Sequence, residues 1–310
     1  MRKVNFFLKR LWRDRTLVLM VLPAVIMLIL FNYVPMTGLV LAFKHFDYSL
    51  GLYKSPWVGL QNFRHLFLVA ERFWRLTRNT VGYFVIFTII NTVAQVFLAI
   101  GINELVFKKM GKVIQSILIL PTFISHVAVS YIVEGMLKYD VGLISRLVEN
   151  ITGETINFYM QAEYWPVILD IVNAWKTTGY GSVLYLSVLA GVDQELYEAA
   201  ALDGANAWQK IRYITIPMLL SMVIIRTLLG LGSVMHSDTG LFYQVTKNVG
   251  SLYRTTEVLD SFVLNVMTGT GITNYGVTSA VTFYQSLVGF VMIIVVNAIV
   301  RRISPDDALF

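Results

Sequence analysis

Residues 198–217 read EAAALDGANAWQKIRYITIP and form a short polar segment between two long hydrophobic ones. The first five residues all favour a helix, and Gly204 can end that helix and reverse the chain. A second helix is predicted from Ala207 to Tyr213, leading into the next hydrophobic segment. A helix–glycine–helix at a membrane surface has a shape that fits a groove in another protein.

The composition is that of a membrane protein. Of 310 residues, 56% are hydrophobic and only 14% are charged, whereas a soluble domain of this size carries more charge. The chain has no cysteine, which excludes disulfides and thiolate metal sites. The net charge of +6 is spread over the loops and chain ends, as expected of membrane flanks, and does not indicate nucleic-acid binding.

Six hydrophobic stretches are long enough to cross a bilayer, which takes about 20 mostly apolar residues. We therefore expect an all-α membrane protein in which residues 17–302 form one six-span domain, after a basic N-terminus (1–16) and before a tail (303–310). The stretches are roughly Leu17–Phe43, Asn79–Ile102, Val113–Leu137, Tyr164–Val192, Ile214–Met235 and Val277–Val300.

The first stretch is predicted to be retained as a transmembrane helix. It runs well past the hydrophobic length of a signal peptide, and no cleavage site of the usual small-residue type follows it. Lysines and arginines cluster in Met1–Arg15, which favours a cytoplasmic N-terminus. An even number of spans then places the C-terminus in the cytoplasm too, although the loop after the first span is also basic.

The spacing within 198–217 resembles the EAA loop of bacterial ABC importer permease subunits. That loop reads EAA, three residues, Gly, nine residues and I-x-L-P, and Ile216 stands here where leucine is usual. Glu195–Ala205 resembles the maltose-type, binding-protein-dependent branch that imports carbohydrates. Trp175-Lys176-x-x-Gly179 resembles permeases for larger oligosaccharides, and the resemblance extends from about Leu17 to the end.

The resemblance implies a maltose-type (type I) six-span permease fold and a set of partners. Residues 193–217 would be the coupling loop that docks on a cytoplasmic ATPase. The partners would be a second, homologous permease forming a heterodimer, two ATPase subunits, an extracytoplasmic solute-binding protein, the sugar and membrane lipids. The residues assigned to coupling are Glu195, Glu198, Ala199, Ala200, Asp203, Gly204 and Ala205.

No energy source is encoded in the chain. Its one Gly-Lys pair, Gly111-Lys112, lacks the glycine and hydroxyl spacing of a P-loop. The four histidines lack metal-ligand spacing, so no metal site is expected. We expect the chain to bind no cofactor and to have no catalytic residue, with ATP and Mg used by the partner ATPase.

The fourth predicted span combines aromatic rings with hydrogen-bonding groups, as sugar sites do. The substrate-pathway candidates there are Tyr180, Lys176, Asn173 and Trp175, and the fifth span adds Ser233. In the maltose-type family the equivalent helices contribute to the sugar site. Helix packing or snorkelling is the alternative role for each of these side chains. Asn91 and Gln95 are interpreted as residues that form hydrogen bonds between helices.

The function expected is that of the transmembrane subunit of an ATP-driven oligosaccharide importer in a bacterial cytoplasmic membrane. Lys176 would also suit an anionic cargo such as a uronic-acid oligomer, and glycerol phosphate or another polyol stays open. An ion-coupled secondary transporter is a further alternative, with Asp170 as its best carboxylate. Another alternative is a permease-like membrane scaffold or sensor subunit that signals without transporting. The segment from His236 to Gly276 is either a plain outer loop or partly a short helix around Thr256–Met267. The resemblance implies an outer loop that meets the binding protein.

Overall fold

The computed structural model describes residues 13–68, 70–105, 107–269 and 274–303. Most of the basic N-terminus and the tail after residue 303 lie outside the described residues, so the predictions made for them stay predictions. Within the described ranges the chain is helical, and its one β-bridge joins Lys44 to Trp57.

The helices follow the hydrophobic pattern of the sequence. Their bounds are α1 Arg15–Phe43 (with a π turn at Ile29–Tyr33 and a 3-10 end at Thr37–Phe43), α2 Gly51–Lys54, α3 Gln61–Leu68, α4 Ala70–Asn103, α5 Lys108–Phe123, α6 His126–Leu137, α7 Leu143–Thr152, α8 Trp165–Ala190, α9 Gln194–Leu202, α10 Ala207–Leu231 (with a π turn at Ile211–Thr215), α11 Tyr253–Thr256, α12 Leu259–Thr268 and α13 Tyr275–Ile303. The helix expected near 256–267 is thus confirmed as α12.

Four of these helices, α1, α4, α10 and α13, are long and apolar enough to cross a membrane, and a fifth span results if α5 and α6 are counted together. The expectation of six such apolar helices is therefore corrected to four or five within the described residues. The missing one is α8, which has 26 residues. It carries Asp170, Lys176 and several other polar side chains, and these lower its mean hydropathy.

The third predicted span, Val113–Leu137, is broken. Helices α5 and α6 meet at an angle of 96°, and the backbone of Ile124 between them is extended (φ −74°, ψ 127°). Ser125 starts the second half as an N-cap, because its hydroxyl accepts from the Ala128 N–H at 3.2 Å. Pro121 has no N–H to continue the helical ladder of the first half.

The chain divides into two compact units. In the first unit, formed by residues up to 68 and 272–283, the side chain of Asn62 closes the end of α1. Its Nδ2 lies 3.3, 3.0 and 2.9 Å from the carbonyl oxygens of Leu41, Ala42 and Lys44. These carbonyls lie in and just after the last turn of α1, where the Leu41 carbonyl also accepts from the Lys44 N–H at 3.2 Å.

The second unit, residues 69–271 and 284–310, is organised around α8. Gly179 and Gly181 allow neighbouring helices to approach α8 closely. A Cβ atom on Gly179 would lie 1.8 Å from the carbonyl oxygen of Leu118 on α5, and one on Gly181 would lie 2.2 Å from the Gln95 side chain on α4. Only glycine leaves room for α5 and α4 to pack this tightly on α8.

Two apolar clusters pack around the ends of α8. The cluster at its N-terminal half includes Trp165 and Leu169 together with Tyr83 of α4 and Phe242. The cluster at its C-terminal half joins Tyr185 and Leu189 of α8 to Ala99 and Leu219. Helix α8 is therefore held along its length by burial of apolar surface, which keeps its polar middle in a defined position.

A buried carboxylate joins the start of α4 to the segment before α12. Glu257 is fully buried, and its Oε1 lies 2.5 Å from Nη2 of Arg72 while its Oε2 lies 3.4 Å from Nη2 of Arg75. The Glu257 carbonyl also accepts from Nδ2 of Asn79 at 3.0 Å. Because a buried charge is tolerated only when it is paired, these contacts hold Glu257 in place.

Candidate translocation site

The predicted coupling loop is a helix–glycine–helix with a hydrogen-bonded cap at each turn. Asp193 caps the start of α9 by accepting from the Glu195 N–H at 3.0 Å. At the other end, Gly204 has φ +82°, the Ala205 N–H donates to the Ala200 carbonyl at 2.9 Å, and the Gly204 N–H donates to that of Ala201 at 3.1 Å. This pair of bonds is a Schellman motif, and it explains why glycine stands at 204.

The second helix of the loop also starts at a defined residue. Asn206 and Gln209 form a reciprocal capping box, with Asn206 Oδ1 accepting at 2.9 Å and Gln209 Oε1 accepting at 2.8 Å. Tyr197 on α9 makes a 3.1 Å hydrogen bond with Thr215 on α10. The loop is therefore a rigid hairpin, attached to α10 through a side chain.

The residues predicted for coupling lie on the surface of this hairpin. Ala200 and Ala205 are half-buried. The other five are exposed: Glu195, Glu198, Ala199, Asp203 and Gly204.

Two large apolar side chains that the sequence analysis did not single out are also exposed there: Leu202 by 90% and Trp208 by 64%. An apolar residue in an otherwise polar loop was the signal that could have identified them.

Lys176 has its ammonium group at the break between α5 and α6. Its Nζ donates to the carbonyl oxygens of Pro121 at 3.4 Å, Thr122 at 3.1 Å and Ile124. The Thr122 hydroxyl donates back to the Lys176 carbonyl at 2.6 Å. The Pro121 carbonyl also accepts from the Ile124 N–H at 3.2 Å. Because the three carbonyls lie at the C-terminal end of α5, the charge of Lys176 stabilises the negative end of that helix.

A neighbouring part of α8 faces α4. The Asn91 carbonyl oxygen Oδ1 accepts from Asn173 Nδ2 at 3.3 Å and from Thr177 Oγ1 at 3.1 Å. Gln95 Nε2 donates to the Thr177 carbonyl at 3.4 Å, and Gln95 Oε1 accepts from Arg226 on α10. The prediction that Asn91 and Gln95 form hydrogen bonds between helices is confirmed.

A cavity of about 240 Å³ opens beside this network. It is bounded by α4, α8, α10 and the segment after α10, and its lining combines rings with amides, hydroxyls and charges. The polar residues of the lining are Thr88, Asn91, Thr92, Asn173, Arg226, Thr227, His236, Ser237 and Asp238. Of the predicted substrate-pathway residues, only Asn173 lines it.

The other predicted pathway residues lie elsewhere on the helices. Tyr180 is 60% exposed on α8, and Trp175 is exposed on the same helix. Ser233 is exposed beyond the end of α10, where its hydroxyl donates to the Gly230 carbonyl at 2.8 Å. The structure therefore brings Asn173 to the cavity, uses Lys176 at the helix break, and leaves the remaining three on the surface of this chain.

Two histidine–carboxylate pairs border the cavity. His126 Nε2 lies 3.1 Å from Asp238 Oδ2, and His236 Nδ1 lies 3.3 Å from Asp260 Oδ1. The hydrogen bond to Asp260 raises the pKa of His236 above its usual value, against the opposing effect of partial burial. Asp260 also accepts from the Ser237 N–H at 2.6 Å, so this carboxylate anchors the segment after α10.

Asp170, the carboxylate considered for ion coupling, is half-buried on α8. Its Oδ1 is buried, and no hydrogen-bond partner for that atom lies among the described residues.

Residues 2–305 match the family described as binding-protein-dependent transport system inner membrane component. The chain belongs to this family.

Similar proteins cover nearly the whole chain. Protein LplB of Bacillus subtilis (strain 168) is 33% identical over 297 residues, which are 95% of this chain and 91% of LplB. The polygalacturonan/rhamnogalacturonan transport system permease protein YteP of the same organism is 29% identical over 96% of this chain and 91% of YteP. A chain in the crystal structure of a bacterial ABC transporter involved in the import of the acidic polysaccharide alginate matches with a TM-score of 0.85. It is 29% identical over 96% of this chain and 99% of that chain.

The family membership confirms the resemblance drawn from the EAA loop. The protein is a multi-pass membrane protein of the carbohydrate ABC transporter permease class, which consists of membrane subunits that lack an ATPase site of their own. The geometry described above therefore belongs to a permease subunit.

Proposed function

We propose that this chain forms half of the translocation pathway of an ATP-driven importer and receives an oligosaccharide from an extracytoplasmic solute-binding protein. The observation that carries the proposal is the coupling loop at 193–217, an exposed hairpin whose caps hold it rigid without help from a partner. Such a hairpin can transmit the movement of an ATPase into α10, because α9 is attached to that helix by the Tyr197–Thr215 hydrogen bond.

The docking surface would include charged and apolar groups. Glu198 and Glu195 would contact the ATPase through polar interactions, while Ala199 and Ala200 keep the surface narrow and Gly204 permits the turn. Leu202 adds an exposed apolar contact. A surface that is apolar at its centre and polar at its rim is typical of protein–protein interfaces.

The sugar pathway would lie along α8 and α10 and be completed by the second permease. The cavity of about 240 Å³ is smaller than the roughly 300–1,000 Å³ of complete small-molecule sites. Asn173 would supply hydrogen bonds from within it. The exposed ring of Tyr180, two helical turns further along α8, would offer an apolar face to a pyranose ring at the interface between the two permeases.

The topology would be six membrane crossings within residues 17–302, with both termini in the cytoplasm. The sixth crossing is α8, whose 26 residues reach about 39 Å at 1.5 Å per residue. Its polar side chains would be shielded from lipid by α4, α5 and α10, as ionisable groups in membrane helices usually are. In this arrangement 193–217 is cytoplasmic and 236–276 faces the binding protein.

The cargo proposed is an oligosaccharide. The support is that YteP is named for a polygalacturonan/rhamnogalacturonan transport system and that the alginate importer acts on a polysaccharide. A path between two permeases has an open groove rather than a closed pocket, which suits a chain of linked sugars. ATP and Mg would be bound by the two ATPase subunits, not by this chain.

The test is purification of the complex in mild detergent from the native membrane, with wild type and Glu198→Lys and Gly204→Asp variants. We expect wild type to retain a second permease and an ATPase, and both variants to lose the ATPase while the second permease stays bound. Gly153 is a matched control, since it also has positive φ (+77°) at a helix end and open space around it. Gly153→Asp should keep the ATPase. Recovery of the wild-type chain alone would count against the importer.

A further inference from the structure

Arg226 is the one lysine or arginine among the described residues that line the cavity. It is half-buried on α10, a helix apolar enough to cross a membrane. Its Nη1 donates to Gln95 Oε1, and its guanidinium lies 5.7 Å from the centre of the Tyr185 ring. Both partners are neutral, so neither offsets its charge fully.

The charge of Arg226 is unpaired within the part of the chain that the structure describes. None of the ion pairs found there includes Arg226. A charge among membrane helices is expensive unless a counter-charge or a function offsets the cost. A guanidinium has five N–H donors, and Gln95 is the single hydrogen-bond acceptor found for them among the described residues.

The other ionisable groups of the cavity already have partners. Asp238 is engaged by His126 at 3.1 Å and by the Leu241 N–H at 3.2 Å, and His236 is engaged by Asp260. Outside the lining, the ammonium of Lys176 is occupied by the carbonyls at the helix break. Among the described residues, the cation that is free to bind an anion in this cavity is therefore Arg226 and not Lys176.

We infer that Arg226 binds the carboxylate of a glycuronate residue in the cargo, which makes the importer selective for acidic oligosaccharides. The inference rests on the proposed function. A planar guanidinium pairs with a carboxylate through two parallel hydrogen bonds, which a lysine cannot match. Asn173 and Thr227 line the same cavity and provide amide and hydroxyl groups for the sugar hydroxyls beside that carboxylate.

The test is uptake into proteoliposomes that contain the whole importer, supplied with ATP and its binding protein. The probes are trimers and tetramers cut from polygalacturonate and from alginate, each paired with its carboxyl-reduced neutral counterpart of the same linkage. The variants are Arg226→Gln, which removes the charge, and Arg226→Lys, which keeps it. The control is Arg146→Gln, which changes an exposed arginine on α7.

We expect wild type and the Arg146→Gln control to prefer at least one acidic probe over its reduced counterpart. Arg226→Gln should lower uptake of that acidic probe by about tenfold to a hundredfold, the range expected for a charge-assisted hydrogen bond. It should leave uptake of the neutral counterpart within about twofold, and Arg226→Lys should recover part of the preference because the charge is kept.

The contrary results separate this inference from the proposed function. Equal loss of both probes in Arg226→Gln would make Arg226 a structural residue, for example one paired with a carboxylate of the second permease. If wild type takes up neutral probes at the same rate as acidic ones, the inference is overturned and the proposed sugar import stays intact. Absence of uptake of every probe by an assembled complex would count against both.

Discussion

Two hydrogen bonds join Lys176 and Thr122, and each residue donates one of them. Lys176 Nζ donates to the Thr122 carbonyl oxygen at 3.1 Å, and Thr122 Oγ1 donates to the Lys176 carbonyl oxygen at 2.6 Å. One residue lies on α8 and the other at the end of α5, where the membrane segment turns by 96°. The pair fixes the turn to the helix that leads directly into the hairpin at 193–217.

Replacing Lys176 with methionine keeps a side chain of similar length but removes the donors to three carbonyl oxygens at the helix break. We expect the free energy of unfolding to fall by about 2 kcal/mol, since hydrogen bonds from charged groups are worth about 1.5–3 kcal/mol. The thermal unfolding midpoint of the detergent-purified protein measures this. Lys138→Met, at an exposed lysine just after α6, is the control and should leave the midpoint unchanged. Equal midpoints for Lys176→Met and wild type would show that the break holds without Lys176.

Adding one methyl group at Gly179 should push α5 and α8 apart. The new Cβ would lie 1.8 Å from the Leu118 carbonyl oxygen, so backbone has to move. We expect Gly179→Ala to lose at least about 1–3 kcal/mol of stability, measured as a lower thermal midpoint and a lower yield of folded protein.

Gly135→Ala provides the matched comparison for Gly179→Ala. Gly135 is also a helical glycine, but no atom lies within 4 Å of its added Cβ, and alanine favours the helix by up to about 1 kcal/mol. This variant should be as stable as wild type or more stable. If both variants unfold at the wild-type midpoint, the contact between Gly179 and Leu118 is absent from the native protein.

Neutralising Glu257 should destabilise the protein strongly. Glu257→Gln leaves a buried neutral amide beside the guanidinium groups of Arg72 and Arg75, whose side chains are 42% and 30% exposed. Water therefore offsets part of the about 3–5 kcal/mol that breaking a fully buried ion pair costs, and we expect a loss of about 2–3 kcal/mol. The measurement is thermal unfolding, together with proteolysis of the segment before α12.

Glu163→Gln is the control for the buried pair. It breaks an exposed pair with Arg254 at 3.5 Å and should change the stability by less than about 1 kcal/mol. Similar effects of Glu163→Gln and Glu257→Gln would show that burial does not distinguish the two pairs.

The His236–Asp260 contact should make the segment after α10 more stable at low pH. The pKa of His236 is raised in the folded protein, so the stabilisation is complete below its unfolded value of 6.5 and is lost as the pH rises through the raised pKa. We expect the difference in thermal midpoint between wild type and His236→Gln to be largest near about pH 5.5 and to shrink towards about pH 8.5. A difference that stays constant over this range would mean that protonation of His236 does not contribute.

The helix–glycine–helix structure of 193–217 could be predicted almost completely from the sequence. Asp193, Asn206 and Gly204 act through hydrogen bonds within a few residues, so their types and spacing determine both helices and the turn. The apolar helices α1, α4, α10 and α13 were predictable for a similar reason, because crossing a bilayer depends on the length and composition of one continuous segment.

The side-chain roles on α8 could not be predicted in this way. Asn173, Lys176 and Tyr180 are three and four residues apart, which places them near one face of α8. All three were predicted for the substrate pathway, yet Asn173 hydrogen-bonds α4, Lys176 caps α5 and Tyr180 is exposed. The spacing gives the direction of each side chain from its own helix. It does not say which neighbouring helix, break or cavity lies in that direction.

The sequence by itself indicated the family, through the spacing of residues 198–217. It also determined the helix–glycine–helix at 193–217 and the apolar helices α1, α4, α10 and α13, because these depend on local hydrogen bonds or on the composition of one segment. Only the tertiary structure decided that the third span is broken and that Lys176 donates hydrogen bonds to the carbonyls at this break. It also decided that, among the described residues, Arg226 is the cation of the cavity without an ionic partner. The assignments of Lys176 and Arg226 depend on contacts between residues about 50 to 130 positions apart. Such contacts are set by how helices pack, and a single sequence carries no record of the pairing.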